Sequence, residues 1–296
     1  MRIAWAGRLA EGAMHSGWWS TPRDFHGLSL YRVLQTKIYV GVVWAFKTLI
    51  DCRGQRRRLS ATRDLSGTGR ERFALLVATG PSAIGLDVDG ARRMQQAGGR
   101  IFVVNSYCDL EFAASLIPDF YVLTDPFWFA SEKMSDRAAR TWDYIRQHQS
   151  IRVVVPSCVP ATMFPDEIVP IYVNTTGLEG WTKNTSPIRP RGYLGLTTYS
   201  ALGLIEYMDF STIYLSGVDN TAFQKLVCLN DGTPGLAGNH AYVEDGVTPL
   251  EPIRSLAAAL EFYARHFADL EFFDTSRMVD LNENGMLPGV AKGVLP

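Results

Sequence analysis

The chain has 296 residues, 47% of them hydrophobic and 20% charged, which is enough apolar mass for one large α/β core, with or without additions. Its 29 basic and 30 acidic side chains leave a formal net charge of -1, so the balance speaks against a nucleic-acid partner. The four cysteines (Cys52, Cys108, Cys158, Cys228) are scattered, with no Cys-x-x-Cys pair and no histidine at ligand spacing. That argues against a zinc site or a disulfide framework and fits a reducing, cytoplasmic compartment.

Residues 1–70 read as an N-terminal extension. The first 25 residues carry charge throughout and lack the continuous apolar stretch of an ordinary signal peptide. Within 28–50 the uninterrupted apolar part is "IYVGVVWAF", short for a bilayer crossing, which takes ~20 residues. Arg32, Lys37 and Lys47 break the remainder, and Arg53, Arg56, Arg57 and Arg58 follow. Two readings stand side by side: an amphipathic helix lying in an anionic membrane interface, with 28–58 as the peripheral contact, and a docking helix of the extension. A spanning helix ranks third.

From residue 71 to 296 the chain reads as one α/β domain. "RFALLVA" (72–78) predicts a strand, "DGARRMQQAGG" (89–99) a helix, and "RIFVVN" (100–105) and "FYVLTDP" (120–126) two further strands. "SEKMSDRAARTWDYIRQHQ" (131–149) predicts a helix and "IRVVVPS" (151–157) a strand. The Pro- and Gly-rich segment 156–195, with one candidate strand in "EIVPIYV", is long enough for a lid or an acceptor-binding insertion. "LTTYSALGLIEYMDF" (196–210) reads as a helix and "STIYLSGVD" (211–219) as a buried strand. A glycine-rich loop (231–246) precedes a helix over 249–267, a strand in "DLEFFD" (269–274), and an irregular tail over 280–296. Apolar strands alternating with helices predict a Rossmann-like, mostly parallel sheet covered on both faces.

Ligands of an open parallel sheet collect beyond the carboxyl ends of its strands. Four predicted strand ends are polar: Gly80-Pro81-Ser82, Asn105-Ser106, Thr124-Asp125-Pro126 and Ser216-Gly217-Val218-Asp219. Gly80 permits close approach of backbone to ligand, Pro81 suits an early helical position, and Ser82 can cap the helix or bond a phosphate. The plainer reading of Gly-Pro-Ser, a tight turn and nothing more, weakens because the other three ends also finish polar. There is no G-x-x-x-x-G-K-[ST] loop, which excludes the usual P-loop kinases, and no G-x-G-x-x-G fingerprint or G-x-S-x-G elbow, which counts against a dinucleotide oxidoreductase and an α/β-hydrolase. Among five histidines, His240 sits in the loop "GLAGNHAYVEDG", where an imidazole titrating near neutrality suits deprotonating an alcohol. An exposed histidine with no task is the other reading. His266 is expected on a helix and partly buried, and His148 at a helix end.

"LVATGPSA", "FVVNSY", "GLTTYSALGLIEYMDFSTIYLSGVD" and "SLAAALEFYARHFADLEFFDTS" follow one another in an order that resembles the bacterial sialyltransferases of the Campylobacter lipooligosaccharide type. The resemblance covers roughly 72–275, and "IYLSGVD" is its most specific piece. It implies a metal-independent, inverting transfer from a CMP-activated sugar to a cell-surface glycan or lipid-linked acceptor, with no cofactor. By that resemblance Gly80, Pro81 and Ser82 hold the donor phosphate and ribose, Asn105 the cytidine or phosphate, and Thr197 the sugar or phosphate. Asp125, Gly217 and Asp219 complete the donor side, His240 is the base, and Tyr242 stands in for the tyrosines that assist the leaving group. Ala78-Thr79 replace the family's Gly-Asn before Gly-Pro-Ser, and Thr221, Ala222 and Phe223 stand where those tyrosines fall. The Asp125-Pro126 pair is instead similar to the 6-hydroxymethylpterin diphosphokinase-like proteins, and that resemblance implies Mg²⁺ and ATP phosphates at Asp125. A third reading is a catalytically silent binding module of glycan assembly.

Overall fold

The computed structural model describes residues 38, 42, 57–129, 135–163, 167–177, 182–220, 224, 226–228, 234–237, 250–252, 264 and 266–296. A one-turn helix α1 (Ser60–Arg63) leads to strand β1 (Phe73–Val77), helix α2 (Val88–Gln96), β2 (Arg100–Val104) and β3 (Phe120–Val122). Helix α3 (Asp136–Gln147), β4 (Arg152–Pro156), β5 (Ile171–Val173), α4 (Thr197–Tyr207) and β6 (Thr212–Ser216) follow. Short strands β7 (Leu226–Cys228), β8 (Pro234–Ala237) and β9 (Leu250–Pro252) form a separate antiparallel sheet, and β10 (Met278–Asp280) and β11 (Ala291–Lys292) close the main one.

The main sheet runs β5-β4-β3-β2-β1-β6-β10-β11, and every pair in it is parallel. The fold is α/β and Rossmann-like. Both sheet faces are covered, which is why the strands are unbroken apolar runs instead of alternating ones. Leu75, Val77, Ile101 and Val103 pack with Ala91 and Met94 of α2 and with Ala138, Trp142 and Ile145 of α3. Ala74, Leu76, Phe102 and Val104 face the other way, onto Tyr199, Leu202 and Ile205 of α4 and onto Leu270 and Phe273. Strands are added outward from β1 to β5 with helices on the first face. The chain then crosses back under α4, on the second face, to lay β6 against β1. A right-handed crossover demands that exchange of face when the direction of strand addition reverses.

Local chemistry sets the ends of these elements. Asp87 caps α2 by accepting from the Gly90 amide at 2.9 Å, and Ser135 Oγ caps α3 by accepting from the Ala138 amide at 3.2 Å. Edge strand β5 is covered: Thr62 Oγ1 donates to the Tyr172 carbonyl, while the Arg58 guanidinium donates to Ser157 O at 2.8 Å and Val159 O at 3.1 Å. Arg58 also lies over the Tyr172 ring, 5.4 Å from its centroid. The Tyr172 carbonyl at that edge is thereby taken by Thr62, which blunts pairing with another strand.

The structure moves several sequence expectations. Residues 57–70, grouped above with the extension, pack on the domain: Leu59, Thr62 and Leu65 are buried, and the Gly67 and Gly69 amides donate to Tyr207 O and Met208 O. Segment 156–195 holds β5 within the main sheet and, further on, a loop tied to itself. Within that loop Asn174 N donates to Pro187 O and Gly192 N to Asn184 O. "DLEFFD" forms no strand. Its Leu270 and Phe273 are spaced to bury together after a helical turn, and the Asp269 carboxylate accepts from the Leu194 amide at 2.7 Å. The strand falls instead at Met278–Asp280, and the tail expected to be irregular supplies β11. Leu250–Pro252, expected to open a helix, is strand β9, and Pro234–Ala237 of the glycine-rich loop is β8. Among the described residues no helix is long and apolar enough to cross a membrane. Stretch 28–50 lies outside them except for Ile38 and Val42, two exposed helical positions.

Candidate functional site

Strand order reverses between β1 and β6, so this pair forms the topological switch point, beyond whose carboxyl ends open α/β sheets place their ligands. Polar residues gather along that edge. Thr79 after β1, Ser106 after β2, Ser157 after β4, Asn174 after β5 and Ser216 and Asp219 at β6 are all buried. The opposite edge has another chemistry: β2 and β4 begin with exposed Arg100 and Arg152.

At the switch point the two loops interlock. The Ala78 amide donates to Ser216 O at 2.8 Å and the Gly80 amide to Gly217 O at 2.9 Å. Gly217 has φ +69°, and a Cβ there would stand 2.3 Å from Ala78 O; a Cβ on Gly80 would stand 2.4 Å from Gly217 O and 2.6 Å from Asp219 Oδ2. Only glycines permit this approach. Ser82 then joins the loops through three hydrogen bonds. Its amide donates to Asp219 Oδ2 at 2.8 Å, its hydroxyl donates to Asp219 Oδ1, and that same Oγ accepts from the Gly217 amide at 3.1 Å. Asn282, just past β10, adds its Nδ2 to Asp219 Oδ1 at 3.0 Å.

Asp219 therefore takes the position in which the sequence reading places a phosphate. Pro81 has no N–H, and the amides of Gly80, Ser82 and Ala83 donate to Gly217 O, Asp219 and Gly80 O. The segment after Gly80 is a 3-10 turn (Pro81–Gly85), and the α-helix begins only at Val88, with its own cap. The Gly-Pro-Ser turn is thus anchored by an internal carboxylate.

The neighbouring ends are less occupied. Asn105 follows β2 with φ +52°. Its carbonyl accepts from the Tyr121 hydroxyl at 2.6 Å, and that hydroxyl accepts from the Cys108 amide at 3.3 Å. Burial pushes the Tyr121 phenol well above its usual range, which keeps it protonated for that bond. Asn105 Oδ1 is buried without a hydrogen-bond partner among the described residues. Beyond β3, Thr124 Oγ1 donates to Thr197 Oγ1 at 3.0 Å. Thr197 opens α4, which starts at Leu196 with no side-chain cap, so its positive end lies beside two hydroxyls. Asp125 is exposed, and its Oδ1 accepts from the Phe127 amide at 2.8 Å, a local turn bond. Among the described residues no three His, Cys, Asp or Glu side chains are grouped to hold a metal ion.

Gly80, Pro81, Ser82, Gly217 and Asp219 thus form one cluster, and Asn105, Asp125 and Thr197 stand along the same edge. His240 and Tyr242 lie outside the described residues, in the sequence between β8 and β9. His266 is buried, and its carbonyl accepts from the Tyr199 hydroxyl. Sequence reasoning missed Asn282, whose signal is a polar residue two positions past a strand not recognised as one. It also left Thr124 without a role.

No family model matches the chain, and no curated protein matches it. Among solved structures it is similar to the MAf glycosyltransferase from Magnetospirillum magneticum AMB-1, at 10% identity and a TM-score of 0.45. The match covers 81% of this chain and 38% of that one.

Proposed function

We propose that the chain is a glycosyltransferase that takes a CMP-activated sugar and passes it, with inversion and without a metal, to a hydroxyl of a cell-surface glycan precursor. One observation carries the reading: polar groups line the carboxyl edge beside an interlocked β1–β6 switch point, and Asn105 Oδ1 there has no partner among the described residues, at the place where open parallel sheets receive nucleotides. In this reading Gly80, Pro81, Ser82, Gly217 and Asp219 build the rigid floor, and the donor phosphate is held away from them. The seat for the phosphate is the start of α4 with Thr197 and Thr124, where the helix dipole favours the negative charge that grows as the sugar leaves. Asn105 serves the nucleoside, and Asp125 stands at the rim. His240 takes the proton of the acceptor hydroxyl as that oxygen attacks the anomeric carbon and the bond to the CMP phosphate breaks. Tyr242 donates to the departing phosphate. A lipid-linked acceptor would suit an enzyme held peripherally at the inner membrane face through 28–58.

A thermal-shift panel of CMP, CDP, UDP, GDP and ATP, each with and without Mg²⁺, tests this. The expected result is a shift with CMP that needs no Mg²⁺. A shift confined to ATP with Mg²⁺ and abolished in Asp125→Asn rejects it for the diphosphokinase reading, and no shift with any nucleotide rejects it for a silent module. His240→Ala should lose transfer while CMP binding stays nearly intact. Loss of both, or of neither, removes His240 from the role.

A further inference from the structure

From the last residue of β10 the chain reads Asp280-Leu281-Asn282-Glu283-Asn284-Gly285. That is D-x-N-x-N-G, the first half of a calcium-binding loop, in which alternate residues carry oxygen side chains and a glycine at the sixth position permits a sharp turn. The local geometry follows the pattern. Asp280 Oδ1 accepts from the backbone amide of Asn282 at 3.0 Å, and Asn282 Oδ1 accepts from that of Asn284 at 3.0 Å. A Cβ on Gly285 would stand 2.0 Å from Asp280 Oδ2, so only glycine fits there. The pattern then breaks. Its twelfth position, where such loops place a bidentate glutamate, is Ala291, and Lys292 follows.

Lys292 brings a positive charge into this loop. Its Nζ donates to Asp280 Oδ2, to Asn282 O at 2.9 Å and to Gly285 O at 2.7 Å. An ammonium has three donors, and here all three end on oxygens of one loop. Asp280 and Lys292 are register partners in the β10–β11 pair, so a cross-strand ion pair accounts for the contact with Asp280. It does not account for two loop carbonyls converging on the same nitrogen. The Asp280 side chain is only 4% exposed, and a carboxylate so buried requires a positive partner. The effect reaches the candidate site: Asn282, whose carbonyl the ammonium holds, donates its Nδ2 to Asp219 Oδ1 at 3.0 Å.

We infer that residues 280–285 form a cation seat whose resident ion is the Lys292 ammonium, and that the seat takes Ca²⁺ once that ammonium is removed. One carboxylate and two carbonyls are the oxygen set that a hard cation selects, water completing its coordination. In the intact chain the tethered charge orders the loop without a metal, and so holds Asn282 against the Asp219 anchor. The inference is independent of the proposed function.

Thermal melting of wild type, Lys292→Ala and Lys292→Met tests it, each with no addition, with ~10 mM CaCl₂, or with choline chloride of equal ionic strength. Lys292→Ala leaves a buried carboxylate and two carbonyls without their donor, and should melt at least about 4 °C below wild type. CaCl₂ should restore about 3 °C of that loss in a saturable way, as expected for a site with a Kd of about 1 mM. Choline, too large for the seat, should restore none. Wild type, its seat already filled, should shift by less than about 1 °C. Lys292→Met keeps an uncharged stem in the seat, so it should melt low and stay low in CaCl₂. A Lys292→Ala melting point within about 1 °C of wild type overturns the inference. So does a CaCl₂ effect that is absent, matched by choline, or equal in Lys292→Met. Should Lys292→Ala fail to fold, refolding in CaCl₂ alone supports the inference, and failure with and without CaCl₂ overturns it.

Discussion

Asp219 shows how one side chain fixes the geometry of a whole edge. Its carboxylate takes the amide and hydroxyl of Ser82 and the amide of Asn282, so Asp219→Ala leaves three donors in a buried site without an acceptor. The expected loss is about 3 kcal/mol, or roughly 10 °C in melting temperature for a domain of this size. Chemical denaturation of the variant checks it, and a melting shift under about 2 °C would show that the anchor is dispensable. Gly80→Ala tests the same joint from the backbone side. The new Cβ meets a carbonyl oxygen at 2.4 Å, so a loss of about 2 kcal/mol or more is expected, measured by urea midpoint. The sequence announced both halves of this joint, Gly-Pro-Ser and Ser-Gly-Val-Asp, as strand ends with turn chemistry. It could not announce that they bond to each other, because 135 to 137 residues separate the partners.

At the scale of elements, Gly203 within α4 offers a test in which two effects oppose. Replacing an interior helical glycine by alanine ordinarily stabilises by about 1 kcal/mol. Here the added Cβ would lie 2.4 Å from the Thr185 carbonyl, backbone of the loop that leads into the same helix. Overpacking of that kind costs about 1–3 kcal/mol, so Gly203→Ala should be net destabilising, read as a lower denaturation midpoint. An unchanged or raised midpoint would mean that loop 182–195 does not rest on α4. Elements whose cause is local were legible: β1, β2, β4 and β6 from unbroken apolar runs, α2 and α3 from helical periodicity and caps. Those whose cause is remote were misread. "DLEFFD" has the composition of a strand, but Asp269 is recruited by the Leu194 amide and Leu270 and Phe273 by the core beside α4. β10 and β11 are too short to register as runs. They exist because the edge of β6 needed a partner, and Lys292 Nζ, bonded to Asp280, Asn282 O and Gly285 O, holds the last strand in place.

The whole molecule carries an electrostatic signature in its tyrosines. Burial raises the phenols of Tyr107, Tyr121, Tyr144, Tyr193 and Tyr199 above the ordinary 10.0, with neighbouring charge secondary. In the unfolded chain these groups ionise near 10.0, while the folded chain keeps their protons. The unfolded state thus binds fewer protons above that pH, and stability must fall as pH rises beyond it. The tyrosinate absorbance of these five should appear in one cooperative step coincident with loss of near-ultraviolet circular dichroism. A gradual titration of all twelve tyrosines ahead of unfolding would contradict the burial. Fold class was within reach of sequence alone because both sheet faces are covered, so strands are written as apolar runs and helices as amphipathic intervals. Which edge of the sheet is polar was within reach too: strands that begin with arginine and end in Asn, Ser or Thr declare it. What only the tertiary structure decided is which polar groups remain unspent. Ser82 and its turn are saturated by Asp219, whereas Asn105 Oδ1 has no partner among the described residues and α4 starts without a side-chain cap; saturation depends on contacts between residues distant in the chain, which no local pattern encodes.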